Sequence, residues 1–206
     1  MLLYCIRHGE TAANSGGKIQ GQSDSPLSQR GFAQCRAVAE RLWGAGIDAI
    51  HASPLGRAAA SAACIADRLA LDVIYDERLM EINAGVFQGL DWDEIARRFP
   101  AESAQWRTHD PDFCIPGGES RRDLMHRAAA GFAAIRQRDH ARALVVAHGG
   151  SLAGALKSLL GIPAERNPFS LKNGSITLLA WEQDVKLLAL NLTDHLPPDD
   201  GRGGEL

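Results

Sequence analysis

The apolar run Leu2-Leu3-Tyr4-Cys5-Ile6 breaks off into Arg7-His8-Gly9-Glu10-Thr11, and this junction constrains the fold more than any other segment. It reads as a strand whose end carries an arginine and a histidine. In open α/β sheets, ligands bind in the crevice beyond the carboxyl ends of the strands. The pattern recurs: Ala143-Leu144-Val145-Val146-Ala147 runs into His148-Gly149-Gly150, and the short run Ala49-Ile50-His51-Ala52 runs into Ser53-Pro54-Leu55-Gly56-Arg57. One histidine at a strand end is usually structural, but three coincident strand ends bearing His or Arg point to one basic pocket.

Helical spacing fills the intervals between these strands. Ser28 can cap a helix over 28–43 with Phe32, Cys35, Val38 and Leu42 on its inner face. A second helix is expected from Ser53-Pro54, a cap followed by proline, with Leu55, Ala59, Ala62, Ile65 and Leu69 inward and Arg57 in its first turn. Leu71–Tyr75 reads as a strand, and Trp92–Phe99, Ser120–Arg138 and Ser151–Leu160 read as helices. Ser175–Trp181 and Val185–Leu190 flank a hairpin turn at Glu182-Gln183-Asp184. Strands alternating with helices predict an α/β three-layer sandwich, with a mostly parallel central sheet, an antiparallel edge and helices on both faces.

A chain of 206 residues, 45% hydrophobic and without a Pro/Ser/Gly-rich linker, can bury one core. The expectation is a single domain over 1–195, with about 82–118 forming a small cap and 196–206 a disordered tail. A net charge of −3 offers no broad footprint for nucleic acid or an anionic membrane. The N-terminal apolar run is too short for a membrane span and lacks the basic flank of a signal peptide. Cys5, Cys35, Cys64 and Cys114 are too widely spaced for a metal knuckle, and the first three lie on apolar faces, so a reduced, cytoplasmic setting is expected. The oligomeric state is left open, a homodimer among the options. Arginine outnumbers lysine 18 to 4, which base composition explains for most positions.

The chain resembles the histidine phosphatase superfamily, in the branch shared with cofactor-dependent phosphoglycerate mutases. The resemblance rests on Arg7-His8-Gly9-Glu10-Thr11 with Asn14, Leu27-Ser28-Gln29-Arg30-Gly31 with Gln34, and Ser53-Pro54-Leu55-Gly56-Arg57-Ala58. It continues through Glu81, Pro116-Gly117-Gly118-Glu119-Ser120 and His148-Gly149-Gly150, and so covers nearly the whole chain. It implies that His8 is a nucleophile forming a phosphohistidine and that Arg7, Arg57, Asn14 and the Gly149 N–H bind the phosphoryl oxygens. It also implies that His148, protonated by the field of the bound anion, is a further donor and that Glu81 is the general acid, its pKa raised by burial beside the anion. Two departures from the family pattern are Ser61 in place of a threonine and Gln88 in place of an acidic residue.

No cofactor or metal is implied, and the partner is a small phosphorylated metabolite. Simpler or rival readings remain for several residues. Glu81 could instead pair with Arg78 or Arg57 at the surface, and His8, Glu81 and His148 could form a two-His, one-carboxylate metal triad, which Arg7 opposes electrostatically. Glu10 and Glu119 read as supporting groups; His51, His109, His126 and His140 read as surface or structural histidines, and His195 as a residue of the pocket rim. Trp92, Phe99, Trp106, His109 and Phe113 suggest an aromatic-lined cap.

Hydrolysis of a phosphomonoester is favoured over isomerisation. The segment from Glu81 to Pro116 is shorter than the basic insert of the mutases, and its only adjacent arginine pair is Arg97-Arg98. A non-catalytic phospho-ligand binding module is the third reading, disfavoured because His8, both arginines, Glu81 and His148 are all present.

Overall fold

In the first strand Leu3 and Cys5 are buried on one face of the sheet and Ile6 on the other, which a central strand covered on both sides requires. A computed structural model describes residues 1–198. It begins with β1 (Leu2–Arg7), a single turn α1 (Ala12–Ser15) and α2 (Gln29–Leu42). There follow β2 (Ala49–Ala52), α3 (Gly56–Leu69), β3 (Val73–Tyr75) and two 3₁₀ turns at Glu77–Leu79 and Gly85–Phe87. Helices α4 (Trp92–Arg98), α5 (Pro100–Arg107) and α6 (Arg121–Arg136) lead to β4 (Arg142–Ala147), α7 (Gly149–Leu159) and the hairpin β5 (Ile176–Trp181) and β6 (Val185–Leu192).

The six strands form one sheet in the order β3-β2-β4-β1-β5-β6. The pairs β1–β4, β2–β4 and β2–β3 are parallel, and β5 and β6 add an antiparallel edge. Val38, Leu42, Ala58 and Ile65 of α2 and α3 cover the face bearing Ile6, Ile50 and Leu144. Ala128, Phe132, Leu152 and Leu156 of α6 and α7 cover the face bearing Leu3, Cys5 and Val145. The chain leaves β1 toward β2 and leaves β4 in the opposite direction toward β5. The junction between the C-terminal ends of β1 and β4 is therefore a topological switch point, where the crevice of such a sheet lies.

Segment 82–118 builds its own apolar cluster. Phe87 is its centre, with ring centroids 6.4 Å from Trp92, 6.3 Å from Phe99 and 6.4 Å from Trp106. His109 is exposed at φ 60° and Phe99 and Phe113 belong to the cluster, whereas Trp92 and Trp106 also line cavities beside it.

Several local expectations are corrected. Helix α3 starts at Gly56, not Ser53-Pro54, and its cap position is Leu55, whose apolar side chain offers no acceptor, while Ser53 Oγ faces His148 Nε2. Phe32 is 42% exposed, and Gly31 and Gln34 share the inner face of α2 instead. Helix α7 opens at Gly149, two residues earlier than its periodicity suggests, and α1 and α5 have no counterpart in the hydrophobic pattern. Cys64 is only half-buried and Cys114 is exposed. Leu196, Pro197 and Pro198 line a cavity and are not a free tail; the remainder of the expected tail, 199–206, lies outside the described residues. Among the described residues no helix is long and apolar enough to cross a membrane.

Of the surface and structural readings of His51, the structure gives the structural, buried one. The residue is 3% exposed, its ring centroid lies 5.5 Å from that of His140, and its Nε2 has no partner. Burial, followed by the neighbouring His140 and Arg138, pushes His51 down from an ordinary 6.5 to about 4, against a smaller opposing pull from Asp76. A histidine held neutral in the fold but free to protonate when unfolded makes stability fall with pH below the unfolded value. Denaturant unfolding should therefore show stability lost from pH 6.5 down to about 4, with a shallower loss in His51→Leu. Parallel pH curves for the two proteins would show that His51 titrates alike in the folded and unfolded states.

Candidate active site

The ends of β1, β2 and β4 bring Arg7, His8, Arg57 and His148 together, and the His8 and His148 ring centroids are 5.1 Å apart. Asn14 from α1, Glu81 and Gly149 complete the expected set around two adjoining cavities. One, of about 890 Å³, runs past Arg7, Asn14, Glu81 and Gly149. The other, of about 200 Å³, is bounded by His8, Arg57, Ile82, Phe87, Trp92 and Trp106.

His8 Nδ1 lies 2.7 Å from the carbonyl oxygen of Gly9. A carbonyl can only accept, so Nδ1 carries the proton and the lone pair is on Nε2. Burial, with the Arg7 and Arg57 guanidiniums alongside, holds the ring well below its ordinary pKa of 6.5 and so keeps it neutral. The backbone around it is clamped from three sides. His8 N donates to Ala147 O, Asn173 Nδ2 donates to His8 O at 2.9 Å, and Gly9 N donates to Ser61 Oγ at 3.0 Å. Ser61 in turn donates to Arg57 O at 2.7 Å, so a hydroxyl at this position is enough to tie the His8 loop to α3. Gly31 has no side chain because the Glu10 carbonyl occupies the space a Cβ would take.

Buried nitrogens without a protein partner surround His8: Arg7 Nε, Arg57 Nε and His148 Nδ1. Buried polar atoms are nearly always paired, so orphans clustered at one point mark a place for a ligand. The rest of each side chain is fixed. Arg7 Nη1 donates to Leu171 O at 2.6 Å, and Arg57 Nη1 and Nη2 donate to Ser23 O at 2.9 Å and Gly21 O at 2.6 Å. Asn14 Oδ1 accepts from Thr11 and from Asn173, which leaves its amide N–H groups for the cavity. Gly149 packs beside Arg7, a Cβ there lying 3.5 Å from Nε.

His148 is neutral as long as no anion lies against it. Burial first, and then His8, Arg57 and Arg7, hold it well below its ordinary value, and the protonated form that the resemblance implies is the one with the phosphate bound. Only an anion against it can reverse that sign. Its Nε2 is 2.8 Å from Ser53 Oγ, which itself accepts from Leu55 N. With that N–H directed at its oxygen, the Ser53 hydroxyl is placed to donate to Nε2, and the proton of the neutral ring then belongs on the orphaned Nδ1. Ser53 therefore orients His148, a role hidden in the sequence because Ser before Pro reads as a helix cap.

Glu81 is not a surface ion pair. Arg78 is engaged with Asp76, and Arg57 with backbone carbonyls. The Glu81 carboxylate accepts from Ile82 N at 2.9 Å, Gly150 N at 2.9 Å and Ser151 N at 3.1 Å, which ties it to the positive end of α7. A Cβ on Gly150 would collide with Oε1. Arg127 donates to Met80 O and Glu81 O and pairs with Glu119, which also accepts from Asn83 N; together they brace the loop that carries Glu81. Glu10 accepts from Ser28 Oγ at 2.6 Å at the start of α2. His195 Nε2 contacts Gly174 O and does not line either cavity. Among the described residues no three His, Cys, Asp or Glu side chains are arranged to hold a metal ion, so the geometry does not support the triad.

Asn173 and Arg121 escaped sequence reading. Asn173 lies in a loop without periodicity, whereas Arg121 carried a usable signal: an arginine at the first position of a helix opposes the helix dipole.

The family model of the histidine phosphatase superfamily (branch 1) matches residues 3–193. A Proteus mirabilis (strain HI4320) protein named "Probable phosphoglycerate mutase GpmB" is 42% identical over 187 residues, spanning 87% of this chain and 85% of that one. A protein of the same name from Escherichia coli O1:K1 / APEC is 37% identical over 192 residues, spanning 90% and 87%. Among solved structures, a mycobacterial glucosyl-3-phosphoglycerate phosphatase in complex with VO3 superposes with a TM-score of 0.83 at 33% identity, covering 92% of this chain and 98% of that one. The alpha-ribazole phosphatase of Shigella flexneri superposes with a TM-score of 0.86 at 27% identity, covering 93% and 96%. The chain belongs to the histidine phosphatase superfamily, branch 1.

Proposed function

We propose that the protein is a phosphomonoester hydrolase acting on a small phosphorylated metabolite through a phosphohistidine at His8. The observation that carries this reading is the neutral His8 ring with its lone pair on Nε2, set among the orphaned nitrogens of Arg7, Arg57 and His148. Phosphoryl transfer demands little beyond positioning and charge stabilisation. Nε2 attacks phosphorus and the ester oxygen departs. Arg7, Arg57, Asn14 and the Gly149 N–H hold the non-bridging oxygens, and the incoming dianion draws a proton onto His148. Glu81 delivers the proton an alkoxide leaving group needs. Water then attacks the phosphohistidine, giving a proton to the Glu81 carboxylate as the P–N bond breaks, so that inorganic phosphate is released and Glu81 is returned to its acid form. Removing one oxyanion donor from such a site costs about 10²–10³ in rate.

The isomerase reading keeps some support from the naming of the GpmB relatives. Against it, Arg97 and Arg98 are exposed on α4 and line neither cavity, so they form no clamp for a substrate carboxylate. Conversion of 3-phosphoglycerate to 2-phosphoglycerate faster than phosphate release would reverse the preference.

His8→Ala should abolish phosphate release while leaving the thermal unfolding profile intact. Protein quenched after exposure to labelled phosphomonoester should carry acid-labile, base-stable label on His8. Turnover within tenfold of wild type, or label on a serine or aspartate, would sink the assignment.

Activity should survive exhaustive dialysis against a chelator, because every cation in the proposed mechanism is a side chain. Loss on dialysis with recovery on adding a divalent ion would contradict it.

Glu81→Gln should slow hydrolysis of alkyl phosphates far more than of activated aryl phosphates. An amide at this position leaves an N–H donor facing the backbone N–H groups of α7, so some loss is common to both substrates. Proton delivery appears in the difference, which general acid catalysis sets at about 10²–10⁴. Equal losses in kcat/KM would make Glu81 a group that shapes the site without supplying the proton.

A further inference from the structure

The larger cavity does not end at the phosphoryl site. Along its wall α7 presents Gly150, Ala153, Gly154 and Lys157, one helix face whose first three residues are small and whose last is a cation. The small residues make a trough. Lys157 terminates it, 5% exposed, with Nζ donating to Ala164 O at 3.0 Å and two donor positions left over.

Arg121 at the start of α6 lines the same cavity. Its guanidinium lies 3.3 Å from the ring centroid of Trp106 and its Nη2 donates to Trp106 O at 3.0 Å, but Nη1 is buried with no partner. Neither Arg121 nor Lys157 forms an ion pair among the described residues, whereas the adjacent Arg122 is matched by Asp112. The position is costly three times over: the dipole of α6 opposes a cation in its first turn, Trp106 and the cap desolvate it, and a second cation stands opposite. Burial pushes Arg121 down to about 10, with Asp110 opposing. It also lowers Lys157, where Arg121 adds to the effect and Glu165 opposes. A packing role would be met by any long apolar side chain on Trp106; an unpaired guanidinium is explained by an anion that arrives with the substrate.

We propose that Arg121 and Lys157 form a second anion subsite at the far end of the cavity, selecting phosphomonoesters whose leaving group carries a carboxylate or a second phosphate. Seven residues of helix at ~1.5 Å each separate Gly150 from Lys157, so the two anionic groups of the preferred substrate lie about 10 Å apart. This separation exceeds the span of a three-carbon phosphorylated acid and calls for an extended leaving group. The inference rests on the phosphatase reading only for which end of the substrate reacts.

The test uses ω-carboxyalkyl phosphates and α,ω-bisphosphates of increasing chain length, with plain alkyl phosphates as references. Both kinetics and calorimetric binding are measured on wild type, Arg121→Gln, Arg121→Lys and Lys157→Met. Wild type should favour the two-anion compounds over matched alkyl phosphates, with an optimum at chain lengths spanning about 10 Å. In Arg121→Gln that advantage should shrink about 10–100-fold, the loss expected for a charged hydrogen bond, with partial recovery in Arg121→Lys. The carboxylate and phosphate series decide which anion is read. Hydrolysis of all compounds without a chain-length optimum, or an advantage that survives in both Arg121→Gln and Lys157→Met, overturns the subsite and leaves the hydrolase reading standing. A binding advantage lost in Arg121→Gln, with no turnover of any compound, keeps the subsite and overturns the hydrolase reading.

Discussion

The hydrogen bond from His8 Nδ1 to its neighbour's carbonyl is the contact on which the site depends, because it sets which ring nitrogen carries the lone pair. That bond holds only while the Gly9 backbone stays in place. Three unrelated parts of the chain keep it there: α2, where Gly31 admits the Glu10 carbonyl; α3, through Ser61; and the loop before β5, through Asn173. Each is itself anchored to the sheet core, so the rigidity of a single imidazole is bought by packing on both faces of β1.

The same geometry concentrates unfavourable electrostatics at one point. Two buried guanidiniums and two neutral histidines share the switch point between β1 and β4, with the Glu81 carboxylate as the nearby opposing charge. Desolvated cations without full pairing cost stability, and a fold retains them where a ligand's charge makes use of them. Glu81 also joins the cap to the sheet: it is held by the start of α7 and its backbone is braced from α6 by Arg127. A movement of segment 82–118 therefore reaches the carboxylate through a short chain of hydrogen bonds.

Proteins of this fold with 27–33% identity to the chain carry names for different phosphate esters, including alpha-ribazole and glucosyl-3-phosphoglycerate phosphatases. A shared sheet with differing substrates leaves specificity to the parts that vary around the strand ends, and the parts that stand there in this chain are the aromatic cap and the trough along α7. On the proposed reading, phosphoryl transfer and recognition of the leaving group fall to separate sets of residues.

Much of this was legible in the chain itself. Strand ends bearing Arg7, His8 and His148 identify the crevice, because an apolar run that stops at a charged residue reports both burial and its end, and alternating strands and helices report the layered sheet. The hairpin at 182–184 shows the antiparallel edge by its turn chemistry. Periodicity gave no sign of the burial of His51, the exposure of Phe32 or the ordered contact of Leu196, since each depends on what the rest of the fold lays against it. The sequence by itself determined which residues could act as nucleophile and phosphate ligands. Only the tertiary structure decided the state of His8 and His148, the work of Ser53 and Asn173, and the placing of Arg121 and Lys157 on one cavity, because protonation and partnership follow from burial and from neighbours that are remote in the chain.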